Sequence, residues 1–331
     1  MSGEGMESAL LEIEHLTVQY VVDEVVVEAV TDLSLEIQQG ECVGLVGETG
    51  AGKTTTALAI MGLVPNPPGR IVGGRIRYRG DDLVGKSMKE MRKIRGSAIS
   101  MVFQDPMTSL NPVTQIGDQI MEVILLHNKI SRTEATVRSQ KMLELVGIPA
   151  NRYEEYPHQF SGGMRQRVMI ACALACSPHL LIADEPTTAL DVTIQAQVLE
   201  LIEKLKAEFN TSMLMITHDL AIGSEVFDRV AVMYAGNIVE KGKVRDVYDR
   251  PAHPYTQGLL KAIPDLSVDT ERLESIPGMM PDPSSLPAGC TFAPRCRHCR
   301  EQCLAARPQP TEVEAGHWAS CVLLSKGGDP S

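Results

Sequence analysis

Eight residues, Gly47-Glu48-Thr49-Gly50-Ala51-Gly52-Lys53-Thr54, limit what this chain can fold into more than any other stretch. They fit the phosphate-loop pattern G-x-x-x-x-G-K-[ST] without a mismatch. Glu41 to Val46 reads as a short buried strand ahead of it, and Thr55 to Met61 as the first turns of a helix with Ala57, Leu58 and Ile60 facing a core. The chemistry requires these residue types. Glycines let backbone N–H groups crowd around a triphosphate where a β-carbon would block the approach. The helix N-terminus adds partial positive charge beneath the phosphates. Lys53 is placed to reach the β- and γ-phosphates, and the Thr54 hydroxyl to ligate Mg²⁺. A strand–loop–helix of this kind predicts a nucleoside triphosphate site in an α/β fold.

The rest of the composition narrows the context. With 331 residues, 44% of them hydrophobic, the chain can bury a sizeable core and has room for two domains, or for one and an appendage. No apolar run approaches the roughly 20 residues of a transmembrane helix. Met1 to Ser8 is acidic and polar, unlike a secretory signal. A net charge of -11 disfavours nucleic acid as the main partner. These features predict a soluble, cytoplasmic protein.

Residues 10–40 read as two or three strands, and Gly- and Pro-rich residues 62–80 as a loop ending in an edge strand or hairpin. Tyr20 suits either an adenine platform or a half-buried strand tyrosine. Ile99 to Phe103 is a strand that delivers Gln104, after which Pro106 ends any ladder. Helical spacing runs from Thr114 to about Gly147. Ser161 is a good N-cap for the next helix, and Gly162 and Gly163 expose amides at its start, a second candidate phosphate cradle. His179 to Pro186 reads as a buried strand ending in two acids, Asp184 and Glu185. Carboxylates at such an end suit Mg²⁺ binding and water activation. A further core strand, Ser212 to Thr217, delivers His218. Strands alternating with helices indicate a parallel sheet with ligands at its carboxyl ends, where Gln104, Asp184, Glu185 and His218 all fall.

Taken in order, these motifs resemble the ABC-type ATPases. Residues 47–54 look like Walker A, Gln104 the Q-loop, Ser161-Gly162-Gly163-Met164 the signature, Asp184-Glu185 Walker B, Ala189-Leu190-Asp191 the D-loop and His218 the H-loop, with Tyr20 at the A-loop position. One departure is that the family's Leu-Ser-Gly-Gly-Gln is here Phe160-Ser161-Gly162-Gly163-Met164. The resemblance implies an ABC-type P-loop NTPase fold with an antiparallel β subdomain, a RecA-like parallel-sheet core and a helical subdomain at about 105–170, all within a nucleotide-binding domain at 8–250. It implies ATP contacts from Tyr20, the loop residues 47–54 (Gly47, Glu48, Thr49, Gly50, Ala51, Gly52, Lys53, Thr54), Thr55, Gln104, Ser161, Gly162, Gly163, Asp184, Asp191 and His218. Mg²⁺ would be held by Thr54, Gln104 and Asp184, and catalysis carried by Glu185, His218, Gln104 and Lys53. Two such domains sandwich two ATPs, so a second ATPase subunit is implied.

Gln104–Pro112, Tyr156–His158, Ala183–Gln197 and His253–Thr256 are similar to the peptide-importer ATPases, specifically the D-type subunit of dipeptide, oligopeptide and related nickel permeases. That implies pairing with an F-type paralogue or a second copy. Two membrane permease subunits, docked at residues 105–130, and an extracytoplasmic binding protein complete the importer, on the cytoplasmic face of the inner membrane. Nickel chelate and glutathione stand beside peptides as solutes. The rival class is a soluble ABC ATPase with an iron–sulfur centre that acts on ribosomes or DNA.

Five of the eight cysteines, Cys290, Cys296, Cys299, Cys303 and Cys321, crowd the tail; Cys42, Cys172 and Cys176 read as inert core residues. In a cytosolic chain such a cluster points to metal before disulfides. After about residue 240 the chain reads as Pro-rich and irregular, and 251–331 as a small cysteine-rich metal-binding extension. Its spacing resembles the C-terminal motif of the D-type subunits, which implies a [4Fe–4S] cluster on Cys290, Cys296, Cys303 and Cys321. Cys299 is an alternative ligand, and nearby His298 and His317 keep Zn²⁺ open.

Overall fold

A computed structural model describes residues 9–105, 109–188, 190–263 and 275–324. Pro106 and Ala189 lie outside the described residues. In chain order the strands are β1 (Leu11–Val22), β2 (Val25–Ile37), β3 (Cys42–Val46), β4 (Gly69–Tyr78), β5 (Asp81–Asp82), β6 (Ile99–Val102), β7 (Leu180–Asp184), β8 (Ser212–Thr217), β9 (Arg229–Tyr234), β10 (Asn237–Lys243), β11 (Thr311–Glu314) and β12 (His317–Ala319). They fall into two compact units. One gathers described residues up to Gln38, Cys42–Val84 and those from Thr217 onward; the other takes Gln39–Glu41 and Gly85–Ile216.

In the first unit, β2, β1, β4 and β5 form an antiparallel sheet in that order. Period-2 burial of Leu33, Leu35 and Ile37 against Leu11, Ile13 and Leu16 sets its inner face. Ladder irregularities around His15 and Asp32, both at positive φ, bring these side chains 2.6 Å apart across the strands. The expected two or three strands are two, and β4 starts at Gly69, inside the stretch expected to be a loop. The same unit holds a ladder in the order β11, β12, β10, β9, β3. Its β3–β9 pair is parallel, from Val43 beside Arg229 to Val46 beside Val232. All five residues of β3 are buried, as a parallel strand covered on both faces requires.

The tail is less irregular than its composition suggests. Helices Val244–Asp249 and Pro254–Lys261 follow β10, and β12 pairs with β10 through Glu240–Ala319 and Lys241–Trp318. A buried hydrogen bond pins this junction, with His317 Nε2 2.7 Å from Glu240 Oε1. Glu240 also accepts the backbone N–H groups of Ala252 and His253. Paired backbone and a satisfied buried carboxylate replace the apolar content the segment lacks.

In the second unit β6, β7 and β8 run parallel, Ile99 beside Leu180 and Leu180 beside Ser212. The expected helical stretch is two helices, Ile116–His127 and Arg132–Leu145, the second capped by Ser131, whose hydroxyl accepts the Glu134 N–H. Helices Gly162–Leu174 and Val192–Phe209 follow. Asp191 caps the latter by accepting the Ile194 N–H at 3.0 Å, and Asn210 ends it in the left-handed region. Among the described residues no helix is long and apolar enough to cross a membrane.

Candidate functional site

The phosphate loop leaves β3 and enters helix Lys53–Ile60 through Gly52 at φ 103°, with no side chain capping the first turn. A helix start without a side-chain cap suits an anion. Thr49, Gly50 and Thr54 are exposed, while Gly47 and Ala51 are buried. Glycine is required at two positions by contact: a β-carbon on Gly47 would meet the Met233 carbonyl oxygen at 2.1 Å, and one on Gly52 the Ala29 carbonyl oxygen at 2.2 Å. Lys53 is buried, and its ammonium donates to the carbonyls of Gly47 at 2.7 Å and Glu48 at 3.1 Å. Tyr20 is half-buried in β1, its ring over Gly69, where a β-carbon would come within 2.7 Å. His218 is exposed just beyond β8.

In the second unit the carboxyl ends of β6 and β7 meet. Asp184 is buried at the end of β7. Glu185 follows in the left-handed region, φ 47°, a strained conformation for a residue with a β-carbon. Its Oε2 accepts from the Gln104 amide at 3.0 Å and from the Thr188 hydroxyl at 2.9 Å. Thr188 is a partner the sequence reading did not single out. A hydroxyl three residues after the acid was the available signal. With the Gln104 amide nitrogen on Glu185, its carbonyl oxygen is the atom left to face a cation.

At the second cradle Ser161 caps helix Gly162–Leu174, and Ser161 and Gly162 are exposed. Gly163 packs on Ile194, where a β-carbon would stand 2.6 Å from Cγ2. The two departures in this motif share one neighbour: the Arg152 guanidinium lies 4.2 Å over the Phe160 ring and donates to Met164 Sδ at 3.4 Å, while its other nitrogens grip Glu155. Phe160 and Met164 are a matched pair about Arg152, and the cap geometry is undisturbed.

The tail cysteines divide four to one. Cys290, Cys296, Cys303 and Cys321 line one cavity of about 10 Å³ with His253, Phe292 and His298; Cys299 is exposed and outside it. Burial, and then the neighbouring sulfurs, push the Cys290 and Cys296 thiols up and Cys321 to about 11. Among the described residues no group of three or more His, Cys, Asp or Glu side chains is disposed to hold a metal ion, so the expected metal-binding extension has no support in the side-chain arrangement. His317, considered as a ligand, has its Nε2 committed to Glu240 instead. The donor chemistry suits a cluster, but 10 Å³ is about one water's room, and the thiols would have to part to admit one. Of the cysteines expected in the core, Cys42 is buried, while Cys172 and Cys176 are half-buried, with desolvation pushing their thiols up, Cys172 to about 12.

Comparison with known proteins agrees with this geometry. Residues 30–188 match the family described as ABC transporter, and residues 239–303 match the oligopeptide/dipeptide transporter C-terminal region. The solved dimer of the ATP-binding cassette MJ0796 with ADP and Pi superposes with a TM-score of 0.64 at 26% identity, covering 71% of this chain and 99% of that one. The cbiO1 subunit from Clostridium perfringens gives 0.64 at 27%, covering 74% and 92%. Relatives along nearly the whole length include the oligopeptide transport ATP-binding protein AppD of Bacillus subtilis (48% identical, 97% of this chain, 98% of that protein). OppD of Escherichia coli is 50% identical over 95% of this chain and 93% of its own. The chain belongs to the ABC transporter ATPases, within the group of oligopeptide transport ATP-binding proteins.

Proposed function

We propose that this chain is the ATP-binding and hydrolysing subunit of an importer that carries di- and oligopeptides across the cytoplasmic membrane. The single observation that carries the reading is its 48% and 50% identity, over 97% and 95% of its length, to the two oligopeptide transport proteins. In this reading residues 8–250 are the nucleotide-binding domain and 251–331 an extension. Tyr20 stacks on the base; the amides of Gly47 to Thr54, with Lys53 and Thr55, cradle the phosphates; Thr54, Gln104 and Asp184 hold Mg²⁺. Glu185 orients and polarises the attacking water, and His218 bonds the γ-phosphate. Ser161, Gly162, Gly163 and Asp191 act on the nucleotide of a partner ATPase, an F-type paralogue or a second copy. Mg²⁺ would supply neutralisation of the charge developing on the transferred phosphoryl group. The hydrogen bonds of Glu185 with Gln104 and Thr188 support this role, because they hold its carboxylate in a fixed orientation at the end of a strand.

The chain then sits peripherally on the inner face of the membrane, bound to two permease subunits and served by an extracytoplasmic binding protein. The test is to purify the complex through this chain and follow its ATPase rate as candidate solutes are added with the binding protein. Stimulation by short peptides supports the reading. Stimulation by nickel chelate or glutathione alone, or co-purification with ribosomes in place of permease subunits, overturns it.

The four cavity-lining thiols are the proposed ligands of a [4Fe–4S] cluster, which would tie together segments around residues 290, 296, 303 and 321. The reading is motivated by four thiol side chains lining one cavity, a donor type that suits iron and sulfide, although the thiols must first part to admit a cluster. Iron and acid-labile sulfide assays on anaerobically purified protein decide it. About four of each per chain supports the cluster, whereas zinc without sulfide, or no metal at all, removes it.

A further inference from the structure

Two side chains from the far end of the chain hold the second residue of the phosphate loop. The Arg295 side chain is 6% exposed, and its Nη1 donates to Glu48 Oε2 at 2.9 Å across 247 residues of sequence. The same guanidinium donates to the Tyr234 hydroxyl at 3.3 Å, the Pro277 carbonyl at 2.9 Å and the Ile276 carbonyl at 3.4 Å. Tyr255, fully buried, accepts the Glu48 backbone N–H on its hydroxyl at 3.1 Å. Its ring packs 4.6 Å from Tyr234 and 5.4 Å from Phe292, and its own N–H donates to His253 Nδ1. The contact extends to the loop's tip, where a β-carbon on Gly50 would lie 3.1 Å from Met280 Cε.

Both the backbone N–H and the carboxylate of Glu48 are therefore committed to residues outside the strand–loop–helix. That matters for two physical reasons. Lys53 donates to the Glu48 carbonyl, so the conformation at Glu48 bears on where the ammonium lies. A carboxylate within a triphosphate loop also repels its ligand unless a cation neutralises it, and in a partly dry site that repulsion is weakly screened.

We propose that Arg295, supported by Tyr255, is a positioning residue of the nucleotide site: it fixes Glu48 and neutralises its carboxylate, and so sets affinity for ATP without touching the nucleotide. The inference rests on reading Gly47–Thr54 as the ATP-binding loop. It makes the C-terminal segment part of the nucleotide site, although that segment contributes no ligand to it.

The experiment is equilibrium binding of trinitrophenyl-ATP with Mg²⁺ to the full chain, with steady-state ATPase kinetics and a thermal midpoint to report folding. Arg295→Gln is expected to weaken binding and raise KM about tenfold with kcat within about twofold. Arg295→Lys recovers most of the loss, because the charge is kept. Adding Glu48→Gln to Arg295→Gln restores affinity to within about threefold of wild type, because the source of repulsion is gone. A merely structural arginine gives no such recovery. Unchanged binding in Arg295→Gln, or a loss undiminished in the double variant, overturns the proposal. Should Arg295→Gln not fold, Tyr255→Phe carries the test, with an expected weakening of about threefold at unchanged kcat; unchanged affinity counts against it. Lys53→Ala separates the two layers. Full binding in that variant sinks the phosphate-loop reading itself, whereas loss there beside normal binding in Arg295→Gln sinks only the role of Arg295.

Discussion

Gly47 shows how little room a phosphate-binding turn leaves. A β-carbon there would overlap the Met233 backbone oxygen, which has no rotamer with which to move aside. Gly47→Ala should therefore cost roughly 1–3 kcal/mol of stability and abolish high-affinity nucleotide binding; a wild-type thermal midpoint and affinity would show that the loop relaxes freely. Thiol chemistry gives a second prediction. Cys299 is exposed, whereas Cys42 is buried, and Cys172 is half-buried with its thiol pushed up to about 12, which leaves about one thiolate in ten thousand at pH 8. Iodoacetamide followed by peptide mass spectrometry should label Cys299 first and Cys42 and Cys172 last, and the reverse order would be inconsistent with this packing. Residue identities at the site were largely readable in the sequence, since Gln104, Asp184 and Glu185 announce themselves as polar groups at the ends of apolar strands. Partnerships were not. Nothing in the spacing tells Cys299 from the four cavity-lining cysteines, and no local pattern joins Arg295 to a glutamate 247 residues earlier.

The elements follow the same division between local and distant causes. β3, β7 and β8 are buried throughout and mostly apolar, and were legible as buried strands. The β1–β2 hairpin was harder to place, because its turn uses Asp23 and Glu24, both at positive φ, where Asn-Gly is the usual signal. β12 was missed altogether. It is three residues long, and it exists because His317 reaches Glu240 and its backbone completes an edge of β10. Helix Pro254–Lys261 carries a pH prediction. His253 caps it, fully buried, and burial pushes its pKa from 6.5 to about 3. Between those values the unfolded chain binds a proton that the folded chain refuses. Stability is therefore full above pH 6.5 and falls on acidification, by up to about 1.4 kcal/mol per pH unit until about pH 3. Urea midpoints at pH 7.5 and 5.5 should fall less for His253→Asn, whose side-chain oxygen can still accept the Tyr255 N–H. Equal falls in the two proteins would assign the acid sensitivity to other groups.

At the scale of the whole molecule, the order of motifs along the chain carried most of the functional reading, because each lies at the end of an element whose type is set locally. Its two compact units were not foreseeable, since contacts regroup residues 42–84 with those after 217. The central claim is that ATP hydrolysis through Glu185 drives uptake. The most direct test reconstitutes the full complex, purified through this chain, into proteoliposomes and measures ATP turnover and labelled-peptide uptake side by side, for wild type and Glu185→Gln. The account predicts coupled turnover and uptake in the wild type, and a variant that retains ATP while both rates fall about 10²–10³-fold. Near-normal turnover in Glu185→Gln, or ATP turnover in the wild-type complex with no peptide uptake, would contradict it.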